Sequence, residues 1–229
     1  FMARHELGNN DPAKASEYLA TMIRMSNHVS GDGFLISSLV GVAITSLSMA
    51  EMRTLAESGR LDEPSRKVLL EALETINRED PFLMRACIDT EEASVFASIS
   101  GKYQGPDAGR QFARDMLEMT GGDDTATQLR FKIVDEWDAD RLNREAQKTH
   151  AAFDAIRAAW DDKDSLAALE EAESRVSREE FGVVAAILCP TMSKARQSSL
   201  KFSRDLEEII TLLKAAKIAS DPNPADATP

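Results

Sequence analysis

A chain of 229 residues with 43% hydrophobic content is long enough to bury a proper core, as one large domain or two small ones. Its formal charge of −12 excludes nucleic acid and anionic lipid as general partners, because either would be repelled over most of the surface. The 11 Gly and 8 Pro gather between long stretches rich in Ala, Leu, Glu, Lys and Arg, and no run of alternating β-branched residues reads as a strand, so the fold class is all-α.

The first residues, including His5, are expected to fray. Asn10-Asp11-Pro12 is a helix start, with Asp11 placed to accept from the free amides and Pro12 suited to the first helical position. A helix is predicted over Pro12 to Val29, with Ala15, Tyr18, Met22, Met25 and Val29 on its inner face. After the turn Ser30-Gly31-Asp32-Gly33 comes the central helix, capped by Asp32 and extending from Gly33 to Ser58. Small residues recur every four positions at Gly33, Ser37, Gly41 and Thr45, which aligns them along one flank. The other flanks carry Phe34, Leu35, Ile36, Leu39, Val40, Val42, Ile44 and Leu47, so almost the whole circumference is expected to be buried. The uncharged stretch from Gly33 to Leu47 falls short of the ~20 residues a bilayer requires, so no direct membrane span is expected in this chain.

Asp62-Glu63-Pro64 opens a third helix, with Leu69, Leu70, Leu73 and Ile76 inward. Asp80-Pro81 opens a fourth, predicted to run to about Ser100 with Leu83, Met84, Cys87, Ile88, Val95, Phe96 and Ile99. The Asp-Pro pairs at 11 and 80 are not followed by matching residues, which argues against a solenoid repeat. Glycines at 101, 105, 109, 121 and 122 flank a short helical piece where Phe112, Met116 and Met119 share a face; a glycine-flanked excursion of this kind is a natural place for function.

Thr125 and Gln128 form a capping box, and one long helix, bent near Asp138, is predicted from there to Trp160. A short helix follows, with Leu166 and Leu169 inward, and Ser177 with Glu180 reads as a second capping box for the last helix. Along that helix Ala185, Leu188, Met192, Ala195, Ser199, Phe202, Leu206, Ile209, Leu213 and Ala216 recur in a 3-4 rhythm, a coiled-coil-like seam kinked at Pro190. Its excess of Lys and Arg suits docking on an acidic body. The whole is expected to be a single all-α domain over 1–220, an irregular bundle of about seven or eight helices around the buried central helix, with an excursion at 101–124 and a disordered Pro-rich tail at 221–229.

Chemistry is sparse. His5, His28 and His150 stand in no Glu-x-x-His or His-Glu-x-x-His spacing, and no helical metal site has a ligand set. His150 and Asp154 are one turn apart, the spacing of an ordinary solvated pair. Asp89, Glu91 and Glu92 offer carboxylates to a hard cation, but no companion ligands stand at motif spacing. Cys87 and Cys189 match neither a zinc knuckle nor a redox pair; buried thiols or one long-range disulfide are both open. Gly121-Gly122-Asp123-Asp124-Thr125 lacks the lysine and preceding strand of a phosphate loop and reads as a turn and cap. The paired methionines Met22/Met25 and Met49/Met52 suit core filling, while Met116/Met119 suit either core or an adaptable groove. No catalytic, cofactor-binding or metal-ligating residue is assigned.

The string Asn27-His28-Val29-Ser30, followed by Phe34-Leu35-Ile36-Ser37-Ser38-Leu39-Val40-Gly41-Val42-Ala43-Ile44, resembles a segment of uncharacterised bacterial proteins that are exported or membrane-anchored by an N-terminal hydrophobic segment. In those proteins a helix ending in a His-containing turn is followed by Leu-Ile-x-x-Leu-Val-Gly-x-Ala-Ile. The C-terminal helix, from Leu188 and Pro190 through Ala195-Arg196 to Leu213, is similar to theirs; many of them continue into a tyrosine-containing segment, where this chain has its Pro-rich tail. The resemblance implies an extracytoplasmic all-helical domain of the cell envelope, periplasmic or anchored, and carries over no active-site residue. Phe1 stands before Met2, which leaves room for an export signal or anchor upstream.

Two functions follow as expectations. The first is a non-catalytic protein-interaction or scaffolding module, with a partner or a second copy meeting the C-terminal helix or the 101–124 excursion. The second is a helical enzyme or small-ligand protein using Asp89, Glu91 and Glu92 with His28 or His150, which requires those groups to converge in one pocket. An apolar-ligand carrier would need a cavity beside the small-residue flank of the central helix.

Overall fold

The computed structural model of the chain describes residues 2–99, 101–120 and 125–216, Met119 and Thr120 by their backbone only; the Gly121–Asp124 turn and the Pro-rich tail of the sequence reading lie outside the described residues. These residues form eleven α-helices and no strand: α1 (Met2–Gly8), α2 (Pro12–Val29), α3 (Leu35–Glu57), α4 (Glu63–Glu74), α5 (Cys87–Ile99), α6 (Ala108–Thr120), α7 (Thr125–Val134), α8 (Ala139–Trp160), α9 (Ser165–Ser177), α10 (Val183–Leu188) and α11 (Ser193–Ala215). They are arranged as two compact units, one built from residues up to Met84 and from Ser198 onward, the other from Arg85–Gln197.

In the first unit the caps stand where the sequence places them. Asp11 accepts from the Lys14 amide at 2.9 Å and Asp62 from the Ser65 amide at 2.7 Å, each with Pro in the first turn that follows. Asp32 acts one step earlier than a helix cap: it accepts from the Phe34 amide at 3.0 Å and the Ser37 hydroxyl at 2.9 Å, and holds the turn in which Gly33 takes φ 74°. That conformation favours glycine, so α3 begins at Leu35 and not at Gly33. Met2–Gly8, expected to fray, form α1, which buries Ala3 and Leu7 and is tied down by Arg60, donating to the Leu7 carbonyl at 2.7 Å.

α3 packs by its small flank. Ser38 and Thr45 are fully buried, the Thr45 and Ser26 hydroxyls are 2.6 Å apart, and Gly41 faces the Phe82 ring and the Ser26 carbonyl of α2. Phe82 also meets Phe202 of α11 edge to face, with ring centroids 5.1 Å apart. Among the described residues, Phe82 and α2 occupy the space beside Gly41 where an apolar ligand would have needed a cavity. Further along, Met49, Met52 and Leu55 join Leu19, Ile23, Leu69 and Leu73 in the core.

The expectation that α3 is buried almost all round is corrected: Ile36 is 70% and Leu47 65% exposed. The face predicted for α2 is likewise displaced. Its buried residues are Ala15, Ser16, Leu19, Ala20, Ile23 and Ser26, while Met25 is half exposed, because the smaller set lets α3 and α4 approach closely.

Two long helices of the sequence reading are broken. Asp80-Pro81 starts only the short 3-10 turn Pro81–Leu83, since Phe82 and Leu83 take φ 57° and 58°, and α5 starts at Cys87. α7 and α8 are separate, with Asp138 extended and accepting from the Arg141 amide at 2.8 Å as the cap of α8.

Ser177 does not open the last helix. α9 ends there, Glu180 pairs with Arg175 and Arg178, and α10 begins beyond Gly182. Pro190 ends α10 where a kink was expected. It holds Cys189 extended, at ψ 128°, as residues before proline prefer. The chain restarts as α11 under a cap supplied from another helix: Glu173 of α9 accepts from the Met192 and Ser193 amides at 2.5 and 2.6 Å and from the Ser193 hydroxyl at 2.8 Å. The predicted seam is buried at Met192, Ala195, Ser199, Phe202, Leu206, Ile209 and Leu213. In the first unit it docks by apolar contact, and the ion pair beside it, Arg53 with Glu208 at 2.9 Å, has α11 supplying the acid.

In the second unit Phe112, Phe153 and Ile156 are fully buried. The start of α6 lies directly on the α7–α8 turn: the Gly109 amide donates to the Trp137 carbonyl at 2.8 Å, and the Ala139 amide to the Gly105 carbonyl at 3.1 Å. A Cβ at 109 would overlap the Val134 carbonyl oxygen and stand 2.7 Å from that of Trp137.

Gly41→Leu is expected to destabilise the first unit by ~1–3 kcal/mol in urea denaturation, because its side chain must displace Phe82 or α2. Gly109→Ala should fall at the upper end of the same ~1–3 kcal/mol range, since the obstacle is backbone. Gly31→Ala, with no atom within 4 Å of the added carbon, serves as the control and should leave the denaturation midpoint unchanged.

Candidate interaction surface

The sequence of α3 carries two stripes. One is the small flank already described. The other runs Ile36, Val40, Ala43 and Leu47, at spacings of four, three and four, which sets these residues along one line of the helix. All four are exposed, Val40 to 41%. Phe34 stands exposed at the start of the helix, Leu39 and Ile44 are half buried, and no charged residue occurs between Asp32 and Glu51. The helix is also long and apolar enough to cross a membrane by length and composition, with an 18-residue window of mean hydropathy 1.6 of which 33% is buried. It is nonetheless anchored in the first unit by Gly41, Thr45, Met49 and Met52.

The charged residues picked out by the sequence lie in the second unit, on α5 and α8. Asp89, Glu92 and Phe96 follow one another at spacings of three and four on α5, and His150, Asp154 and Arg157 at four and three on α8, so two matched faces meet. The Phe96 and His150 rings stack, with centroids 3.7 Å apart and planes 10° from parallel. His150 Nδ1 is 2.6 Å from Glu92 Oε1. Arg157 Nη2 pairs with the other Glu92 oxygen, Nε with Asp89 at 2.7 Å and Nη1 with Asp154 at 2.6 Å. Just before α5 and just after α8, Arg85 donates to Asp161 at 3.0 Å.

Asp89, Glu92 and His150 therefore come together, but around a guanidinium. Asp154 pairs with Arg157 and not with His150. His28 belongs to the other unit and is exposed. Arg157 pairs with Asp89 and Glu92, two of the three carboxylates expected to serve a cation or a substrate proton, Glu91 being the third, and the clefts described for the two units are lined by other residues. Among the described residues, no three His, Cys, Asp or Glu side chains are placed to share a metal ion. The arrangement is a salt-bridge network that fastens α5 to α8.

Comparison of the chain with protein-family models, with curated proteins and with solved structures returns no match. The site rests on geometry alone. Cys87 and Cys189 form no disulfide, and burial pushes the Cys189 thiol up to about 12, which keeps it protonated. Met49 and Met52 fill core, Met25 is half exposed, and Met116 is buried. Sequence reasoning missed Arg157 and Phe96, which acquire a role only from the element they face. The 36/40/43/47 spacing is present in the sequence, but Ile36, Val40 and Leu47, expected in the core, are exposed.

Arg157→Ala should destabilise the second unit by ~1–3 kcal/mol in urea denaturation, because it leaves the largely buried Glu92 carboxylate without its strongest partner. Adding Glu92→Gln should restore part of that loss. An unchanged midpoint in the single variant would show that the network holds nothing together.

Proposed function

We propose that the chain is a non-catalytic protein-interaction module whose contact surface is the exposed face of α3, with a partner helix of matching apolar spacing as its occupant. One observation carries this: an uncharged stripe of large aliphatic residues, at coiled-coil spacing, stands exposed on an otherwise acidic protein. The opposite flank of α3 supports it, because a helix locked into a core by one side presents the other in a fixed direction. A partner helix fits better than a bilayer for the same reason, since insertion would require withdrawing Gly41, Thr45 and Met52 from their contacts. The setting we attach to it, the bacterial cell envelope, rests on the resemblance of Asn27–Ile44 and the C-terminal helix. The enzyme reading is weakened by Arg157, which pairs with Asp89 and Glu92, two of the three carboxylates it would have used.

The double variant Ile36→Glu/Leu47→Glu is expected to fold with an unchanged melting temperature and to lose association. Each side chain contributes ~1.5–3 kcal/mol when fully buried, so the pair should weaken a complex by well over tenfold. Sedimentation velocity reports self-association, and pull-down from envelope extracts reports a partner. A wild-type chain that stays monomeric and captures nothing the variant fails to capture would overturn the proposal.

A further inference from the structure

The second unit holds a cleft that none of the preceding roles uses. It lies between α6 and α7, has a volume of about 820 Å3 and is lined by Arg110, Ala113, Arg114 and Leu117 on one side and Gln128, Phe131, Lys132, Asp135 and Glu136 on the other. Its size falls within the ~300–1,000 Å3 of small-molecule sites. Ala113, Leu117 and Phe131 give it apolar walls, and Leu117 is 44% exposed, an aliphatic side chain with no protein atom over much of its surface.

The charge on the rim is the deciding feature. Arg110 is paired with Asp107 at 3.2 Å and Asp135 at 3.6 Å. Arg114 of α6 and Lys132 of α7 both line the cleft and form no ion pair among the described residues. Among the described residues the lining carries three bases, Arg110, Arg114 and Lys132, against two acids, Asp135 and Glu136. On a chain of net charge −12, a lining with one base in excess over an apolar wall is a local reversal. The backbone beneath is fixed, since Gly109 seats α6 against the end of α7 without room for a side chain.

We propose that the α6–α7 cleft binds an aliphatic carboxylate, its alkyl chain lying on Ala113, Leu117 and Phe131 and its carboxylate held by Arg114 and Lys132. A carboxylate brings charge-assisted hydrogen bonds to both cations, and the chain covers the exposed side chain of Leu117, with the nearly buried Ala113 and Phe131 as the floor beneath it. An amine of the same length meets like charge, and a short carboxylate lacks the apolar contact. The inference is independent of the α3 surface, which lies in the other unit.

The test is calorimetric titration of the full chain with sodium laurate below its micellar concentration, beside acetate, dodecylamine and dodecyl maltoside. Laurate is expected to bind one-to-one, with the other three binding at least roughly tenfold more weakly. Arg114→Ala/Lys132→Ala and, separately, Leu117→Asp are each expected to weaken laurate by at least roughly tenfold. These three side chains are exposed, and melting curves matching wild type confirm that the fold is intact. Methyl NMR locates the ligand, with Ala113 and Leu117 expected to shift on titration. Failure of laurate to bind, equal binding by the double variant, equal binding of dodecylamine, or shifts confined to residues outside the cleft would each overturn the proposal.

Discussion

Much of the first unit depends on how closely α2 and α3 approach at Ser26, Gly41 and Thr45. The Ser26 hydroxyl donates to the Ile23 carbonyl at 2.7 Å, which leaves Thr45 as the donor in the 2.6 Å bond between the two hydroxyls. Both polar groups are thus satisfied inside the core, where an unpaired one would be costly. Phe82 completes the contact. Its backbone lies in the left-handed region at φ 57°, and its ring occupies the space that the missing side chain of Gly41 leaves open. A bulky, non-glycine residue held at positive φ is a sign that the surroundings insist on its position.

Burying the small flank has a direct consequence for the large one. A helix can turn only part of its circumference toward a single neighbouring layer, so α3, seated by Ser38, Gly41 and Thr45, sends Ile36, Val40 and Leu47 to the surface. The apolar face used in the functional proposal is therefore a by-product of the core geometry. In the second unit the charged residues that suggest chemistry hold two helices together, and the surface left over is the amphipathic cleft on α6 and α7.

The parts legible in the sequence are those set by local physics. Asp11, Asp62 and Asp138 are short acceptors beside free amides, and each caps a helix as read or, for Asp138, turns an expected bend into a break. The seam of α11 is legible because its 3-4 rhythm admits one buried face. Less of the candidate sites was legible. Asp89, Glu92 and His150 stand out in the sequence, yet Arg157, which fixes the two carboxylates, carries no local signal, because Asp89 and Glu92 reach it from α5. The α3 stripe was visible as a spacing but was assigned to the wrong side of the surface.

By itself the sequence determined the all-α class, most helix starts and the seam, since capping, periodicity and proline stiffness act within a turn or two of chain. It also aligned Gly33, Ser37, Gly41 and Thr45 on one flank of the central helix. Only the tertiary structure decided that Phe82 fills the space beside Gly41, that Glu173 caps α11 from another helix, and that Arg157 takes Asp89 and Glu92. Those outcomes depend on pairs distant in the chain, and which apolar face goes inward is settled by the shape of the neighbour. For α3 hydrophobicity favoured burying the large side chains, and the closer approach allowed by small ones prevailed.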